Sequence, residues 1–263
     1  MGEIFALGLR RAGWDAADLV MAARRNDRAV EAAKRTDVET LLDPAAAVLG
    51  REVVVIAVKP KDVPHLLSQI DGALTDDQVV LSLVAGVSVS VFEERFPNLA
   101  VVRAMPNTPA AVDAAMSAYC GGRLADEVAL AKADSVLGAV GKTINLSEDL
   151  LDAVTAVSGT GPAYVFLIAE ALIEAAIREG LPHHAAEMLV NQTVLGAGLL
   201  LTESDKSAFR LRGEVTSPGG TTAAAMHVLE EGGLRALLED AVQAAARRSR
   251  EMGETAAGGG DER

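Results

Sequence analysis

The sequence changes character near residue 147. Before that point, short runs of apolar residues alternate with helical stretches, and after it only helical stretches rich in Ala, Leu and Glu follow. Alternating strands and helices are typical of a parallel sheet covered on both faces. We therefore predict an α/β domain over residues 1–146 and an all-α domain over residues 147–255. We expect the Gly-rich end, residues 256–263, to form a disordered tail.

Four apolar runs in the first half are predicted to be strands, with helical stretches at 25–35 and 60–70 between them. The strands are "DLVMAA" (18–23), "EVVVIAV" (52–58), "QVVLSLVAG" (78–86) and "LAVVRAMP" (99–106). They are too apolar to be half exposed, as is typical of central strands in a doubly wound parallel sheet. Ligands of such sheets bind at the carboxyl ends of the strands, so the loops that follow them are candidate sites.

The second half contains four predicted helices, at residues 161–180, 182–202, 221–233 and 234–252. These helices are more apolar than the core of a small monomer requires. An apolar helix surface that its own domain does not cover is typical of a subunit interface. We therefore predict a homodimer.

Composition excludes several classes of function. The net charge of −13 argues against nucleic-acid binding, which needs clustered Lys and Arg. The single cysteine, Cys120, allows neither a disulfide framework nor a Cys-rich metal site, and we predict a small buried side chain there. The four histidines show no metal-ligand spacing, so no metal is expected.

Targeting and membrane signals are also missing from the pattern. No apolar run approaches the ~20 residues of a membrane span, and the first residues lack the basic region of a signal peptide. We therefore expect a cytoplasmic protein that does not bind a membrane.

The first residues fit only the end of a dinucleotide-binding fingerprint. That fingerprint is a strand, then G-x-G-x-x-G, then a helix, and "MGEIFALGLRRAG" matches its last glycine, Gly2, and its helix. A late start codon, a shortened sequence and loss of the strand in evolution are all open. We favour a shortened sequence, because a sheet without its central strand has two unpaired edges.

The next predicted strand ends in "MAARRND". An NAD site carries Asp or Glu near this place to accept from the ribose hydroxyls, whereas Arg24 and Arg25 suit a 2′-phosphate. We predict NADPH as the cofactor, with NADH possible. The alternative is an exposed basic start to the next helix.

Four segments carry a resemblance when they are taken together and in order: "AVKP" (57–60), "RAMPNTP" (103–109), "SGTGPAY" (158–164) and "VTSPGGTT" (215–222). With "MGE" at the start, they resemble the pyrroline-5-carboxylate reductase family over essentially the whole chain. The resemblance implies a Rossmann domain followed by a helical dimerisation domain, in dimers and often decamers. It also implies NADPH-dependent reduction of 1-pyrroline-5-carboxylate to L-proline, the last step of proline biosynthesis.

The same resemblance assigns cofactor contacts. "AVKP" lies at the carboxyl end of a strand, "LVAG" lies beside the nicotinamide, and Asn107 is the polar contact of the "MPNTP" loop. The predicted set is Gly2, Arg24, Arg25, Ala57, Val58, Lys59, Pro60, Leu83, Val84, Ala85 and Asn107. For "MPNTP", a rigid loop held by two prolines is the alternative.

The segment "TSPGGTT" predicts a helix start with bare backbone amides. Ser217 suits the N-cap and Pro218 the first helical position, while the two glycines remove side chains from the first turn. Unpaired N–H groups at a helix start bind anions. By the resemblance, the substrate carboxylate is bound there and Thr222 is the catalytic residue that reaches the ring nitrogen. The implied substrate-binding set is Ser217, Gly219, Gly220, Thr221 and Thr222.

A hydroxyl is a poor acid, so we expect the imine proton to come from water or from protonated substrate. Two other functions remain open. One is a non-catalytic dimeric scaffold that lost cofactor binding with its first strand. The other is a β-hydroxyacid-type dehydrogenase, which needs a lysine on a helix of the second half, yet residues 160–200 contain none.

Overall fold

The computed structural model of the chain describes the backbone of residues 1–258 and the side chains of residues 1–253. Contacts divide the chain into two units, Met1–Thr160 together with the chain from Ala244 onward, and Gly161–Gln243. The predicted boundary after residue 146 lies earlier in the chain than this division. The reason is that Leu151 and Ala156 are fully buried within the first unit.

The first unit is built on strands that belong to two sheets. β3, β4, β5, β6 and β7 form a sheet in that order, and β1 pairs with β2. All pairs are parallel except β5 with β6, which is antiparallel. The strands are β1 (Val20–Ala22), β2 (Glu39–Leu41), β3 (Val53–Ile56), β4 (Val79–Ser82), β5 (Ala100–Met105), β6 (Ala115–Gly121) and β7 (Gly141–Asn145).

The helices of the first unit cover both faces of the sheet. They are α1 (Gly2–Arg11), α2 (Asn26–Thr36), α3 (Pro44–Val48), α4 (Val63–Ile70), α5 (Val89–Arg95), α6 (Glu127–Gly138) and α7 (Leu151–Val154). Successive residues of β4 point to opposite faces, so Val80 packs in one core with α4 and α5 while Leu81 packs in the other with α1 and α6. Two covered faces confirm the predicted doubly wound α/β class.

Cys120 lies in the core on the α4 and α5 side and is 3% exposed. Burial raises the pKa of its thiol to about 11, because the thiolate would lose its hydration. The prediction of a small buried residue at this position is confirmed.

The second unit is helical, as predicted. It contains α8 (Gly161–Arg178), α9 (His183–Glu203), α10 (Ala208–Glu214), α11 (Thr221–Glu231) and the first part of α12 (Leu234–Gly258). α10 was not predicted. α12 continues to Gly258, so residues 256–258 are helical rather than part of a tail, and residues 259–263 lie outside the described residues.

The helices of the second unit expose many large apolar side chains, among them Phe166, Leu167 and Met188. Two helical stretches, Glu148–Arg178 and His183–Glu203, each contain an 18-residue window of high mean hydropathy, 1.5 and 1.2 respectively, and could cross a membrane by length and composition alone. The prediction that no run approaches a membrane span was therefore wrong. Apolar surface of this kind is typical of helices that pack against another chain or against lipid.

Candidate active site

A cavity of about 1610 Å³ lies in the first unit between β1 and β3. Residues of both cores line it, including Phe5 and Leu9 from α1, and Leu66 and Ile70 from α4. Within the described residues, β1 pairs only with β2 and β3 pairs only with β4. The cavity therefore lies in the layer of the strands, with helices above and below it.

Two polar contacts show that β1 and β3 run in the same direction. Before the strands, Arg51 Nη1 donates to the backbone oxygen of Asp18 at 3.4 Å. After the strands, Arg24 Nη1 donates to Asp62 Oδ1 at 2.9 Å. The two strands therefore begin side by side and end side by side, so the carboxyl ends of β1 and β3 lie on the same side of the cavity.

Six of the predicted cofactor contacts line this cavity: Gly2, Arg24, Arg25, Ala57, Val58 and Lys59. A Cβ on Gly2 would lie 3.8 Å from the Cβ of Ala57, so the first turn of α1 begins next to the residue that follows β3. Met1 caps this helix without a side-chain hydrogen bond. The first amides of α1 therefore have no side-chain acceptor at the cap, and such a helix start favours phosphate.

The two predicted arginines of the cavity, Arg24 and Arg25, are engaged with acidic neighbours. Arg24 is 71% exposed and pairs with Asp62, while Arg25 pairs with Asp27 at 3.0 Å. These exposed pairs are weak in water, so an incoming phosphate competes with them readily.

The sequence interpretation missed further arginines of the cavity wall, among them Arg28 and Arg35 of α2. Both pair with Glu3 of α1, at 3.3 Å and 3.2 Å. Their spacing of seven residues on α2 was the signal, because residues two turns apart lie on the same helix face.

The remaining predicted contacts lie outside the cavity lining but at the same edge of the sheet. Pro60 opens the 3₁₀ turn Pro60–Asp62 after β3. Leu83 and Val84 are buried, and Ala85 is half-buried, in the loop after β4. Asn107 follows β5. Parallel strands bring these loops to one edge, which is where the fold class places ligands.

Asn107 uses both ends of its amide inside the first unit. Its Nδ2 donates to the backbone oxygen of Ser158 at 3.2 Å and to Ser158 Oγ at 3.3 Å, and its Oδ1 accepts from Met116 N at 3.0 Å. These bonds join the "MPNTP" loop to the π-helical turn Thr155–Gly159. The amide of Asn107 therefore supports this turn, and its backbone and neighbours remain the candidates for ligand contact.

The "TSPGGTT" segment, in the second unit, starts its helix later than predicted. α11 begins at Thr221 with Gly220 as N-cap, so the prediction of Ser217 as N-cap was wrong. Gly219 has a φ of +71°, and Gly220 N donates to the oxygen of Ser217 at 3.1 Å. Pro followed by Gly at positive φ makes a type II turn, which uses up residues 217–220 before the helix starts.

The correction leaves the first turn of α11 barer than predicted. A Cβ on Gly220 would lie 2.5 Å from Ser217 Oγ, so a side chain at the N-cap would displace this hydroxyl. No side chain caps the first amides, and the first intrahelical bond runs from Ala224 N to Gly220 O at 3.2 Å. The N–H groups of Thr221, Thr222 and Ala223 are therefore the ones that an anion would meet.

Glu230 connects this helix with its neighbours in the second unit. Its carboxylate accepts from Arg235 at 2.7 Å and from Arg212 at 2.9 Å, which lowers its pKa to about 2. The two arginines thus flank the carboxyl end of α11, while no acidic residue lies in its first turn.

Among the described residues, no group of three or more His, Cys, Asp or Glu side chains could hold a metal ion. The chemistry of the candidate residues is that of hydrogen-bond donors and arginines, which suit phosphates and carboxylates.

The two halves of the chain each match a model of a known protein family. Residues 1–86 match the family model described as NADP oxidoreductase, coenzyme F420-dependent. Residues 148–252 match the model described as pyrroline-5-carboxylate reductase dimerisation. Three observations define the class: the α/β layer, the cavity at the carboxyl ends of its strands, and the match of residues 1–86. The chain is an oxidoreductase with a dinucleotide-binding domain.

Individual proteins narrow the class to one family. The pyrroline-5-carboxylate reductase of Mycobacterium tuberculosis strain H37Rv is 40% identical, over 96% of this chain and 93% of that protein. The structure of the Coxiella burnetii pyrroline-5-carboxylate reductase superposes with a TM-score of 0.89 at 38% identity, over 95% and 94% of the two chains. The Plasmodium falciparum pyrroline carboxylate reductase, solved with NADP bound, gives 0.86 at 28%, over 96% and 94%. The chain belongs to the pyrroline-5-carboxylate reductase family.

Proposed function

We propose that the protein reduces 1-pyrroline-5-carboxylate to L-proline with NADPH. The observation that carries this proposal is the 40% identity to a named relative over nearly the whole of both chains. When bound, the cofactor supplies a hydride to the C=N carbon, the nitrogen takes a proton, and the products are a secondary amine and oxidised cofactor. The residues of this chain bind, orient and hold the reacting molecules.

The first unit provides the cofactor site. The start of α1 and the carboxyl end of β3 offer backbone amides to phosphate, and Arg24 and Arg25 offer guanidinium groups to a 2′-phosphate. The Plasmodium relative solved with NADP supports this assignment. The loops at Ala57–Pro60 and Leu83–Ala85 form the apolar wall for the nicotinamide.

The second unit provides the substrate site. The bare amides of Thr221 and Thr222, with Ser217 and the two glycines of the turn, bind the single carboxylate of the substrate. The hydroxyl of Thr222, a half-buried residue, hydrogen-bonds the ring nitrogen. Water or protonated substrate delivers the proton, since a hydroxyl is a poor acid at neutral pH.

The exposed apolar faces of α8 and α9 form the interface of a homodimer, and dimers assemble further into a decamer. The match of residues 148–252 to a dimerisation model supports the first step. Burial of these apolar faces between subunits explains why the helices are apolar although they do not lie in a membrane. The protein then works in the cytoplasm.

The test is a spectrophotometric assay of NADPH oxidation with 1-pyrroline-5-carboxylate, with L-proline identified by chromatography. A family enzyme should show a KM on the order of micromolar to millimolar. Calorimetric titration with NADPH separates the proposal from a non-catalytic scaffold. A chain that neither binds NADPH nor consumes it would contradict the proposal.

A further inference from the structure

The loop between β4 and α5, residues 83–88, touches the end of α12, and both belong to the first unit. Gly86 has a φ of +75°. A Cβ on Gly86 would lie 3.3 Å from the Cβ of Met252, and a Cβ on Gly253 would lie 2.9 Å from the backbone oxygen of Gly86. The two backbones therefore meet directly, and no side chain fits at residue 253 without moving the loop or the helix.

A hydrogen bond one turn earlier fixes the position of α12. Ser249 is 6% exposed, and its Oγ donates to Asp152 Oδ1 of α7 at 2.6 Å. Residues 249 and 253 are four positions apart, so they lie on the same face of the helix. The serine thus sets the place from which Gly253 meets the loop.

The far end of the loop is held independently by Glu148. Its Oε1 accepts from Val89 N, the first residue of α5, at 2.8 Å and from Arg103 Nη1 of β5 at 2.9 Å. Arg103 is buried, so this contact is better shielded from water than a surface ion pair. The anchor at Val89 resists a shift of Gly86 toward α5, which favours movement on the other side of Gly86, at Leu83–Ala85.

We propose that Gly253 is a positioning residue for cofactor binding, acting through Gly86 on the loop that carries Leu83–Ala85. The inference rests on the proposed function, in which these three residues form the wall for the nicotinamide. It makes the end of the last helix, far from the cofactor residues in sequence, a determinant of NADPH affinity. Nothing in the motif pattern of the chain singles out Gly253.

The experiment compares Gly253→Ala with Gly138→Ala, a matched glycine-to-alanine change on α6 where an added Cβ meets nothing within 4 Å. For Gly253→Ala we expect the KM for NADPH to rise roughly tenfold, with the KM for the pyrroline and the thermal midpoint little changed; tenfold corresponds to about 1.4 kcal/mol. For Gly138→Ala both KM values should equal those of the parent.

Equal KM values for NADPH in Gly253→Ala and the parent would overturn the inference, as would a rise matched by the KM for the pyrroline. If Gly253→Ala does not fold, Ser249→Ala decides, because it frees the helix without adding bulk, and it should raise the same KM by a smaller factor. A parent protein that does not oxidise NADPH at all would instead contradict the proposed function.

Discussion

At the scale of single residues, Arg24 combines exposure with a position next to the end of β1. Its guanidinium is held by one exposed pair with Asp62, which a phosphate displaces at little cost. We predict that Arg24→Ala raises the KM for NADPH roughly tenfold and leaves the KM for NADH nearly unchanged, since a charged hydrogen bond contributes about 1.5–3 kcal/mol. Steady-state kinetics with both cofactors measure this.

Asp62→Asn is the control for Arg24, because it removes the negative charge of the partner and keeps the arginine. It should leave the KM for NADPH equal to that of the parent or lower it. Equal losses with NADPH and NADH in Arg24→Ala would mean that the arginine does not contact a 2′-phosphate.

Thr222 is the residue on which the proposed chemistry depends most directly. We predict that Thr222→Ala lowers kcat more than it raises the KM for the pyrroline, because a hydrogen bond to the ring nitrogen strengthens as the imine becomes an amine. Thr222→Ser should restore most of the turnover. Thr221→Ala keeps the backbone amide proposed to bind the carboxylate, so it should lower kcat less than Thr222→Ala does. Unchanged turnover in Thr222→Ala would remove the hydroxyl from the reaction.

At the scale of elements, one amide fastens three segments of the first unit. Asn107 joins the end of β5, the start of β6 and the π-helical turn. A Cβ at Gly159 of this turn would lie 2.6 Å from Met105 Cε, so a larger residue there would displace the methionine. We predict that Asn107→Ala lowers the free energy of unfolding by about 1–3 kcal/mol, since Met116 N and Ser158 O lose their partner. Urea denaturation measures it.

The control for Asn107 is Asn98→Ala, a change of the same type at an exposed residue of the first unit. Its effect should stay within about 0.5 kcal/mol. Equal losses in the two variants would show that the three segments do not depend on the amide of Asn107.

The sequence predicted elements well where a single local pattern decided them. β1, β3, β4 and β5 were found because each is a continuous apolar run, as buried parallel strands are. β2 contains the polar residues Glu39 and Thr40, and β7 is mostly exposed and polar, so neither shows that pattern. The start of α11 was misplaced because Pro218 suits both the first turn of a helix and the second position of a β-turn, and only Gly219 at positive φ decides between them.

The candidate site was predictable in its residues and less so in its geometry. Gly2, Arg24 and Ala57–Lys59 are far apart in sequence yet line one cavity, as the strand-end rule implies. The partner contacts of Arg28 and Arg35 with Glu3 depend on how α1 packs on α2. The hydrogen bonds of Asn107 depend on Ser158, which is 51 residues away in the sequence. A local sequence pattern predicts neither these bonds nor the contacts with Glu3.

At the scale of the whole molecule, the cavity between β1 and β3 has the surroundings of a strand position. The edges of β1 and β3 run in the same direction, apolar side chains of both cores lie above and below, and the start of α1 lies at its carboxyl end. Charged side chains line part of this cavity, but the apolar side chains that face it lose dispersion contacts that a packed interior provides. Stability should therefore respond strongly to a segment that occupies it.

This leads to a prediction about the N-terminus. Adding about eight residues before Met1, as an apolar β-branched stretch followed by Gly-x-Gly, should raise the thermal midpoint by roughly 5–10 °C. New backbone hydrogen bonds to β1 and β3, with the burial of several apolar side chains, raise the free energy of unfolding by at least a few kcal/mol. Each 1 kcal/mol shifts the midpoint by about 2–4 °C in a protein of this size. The matched control is an extension of equal length made of Gly and Ser, which buries nothing, and it should leave the midpoint unchanged. The apolar extension should also lower the Kd for NADPH, because its glycines add amides next to the start of α1. If calorimetry gave equal midpoints for the two extended proteins, the cavity would not be a strand position.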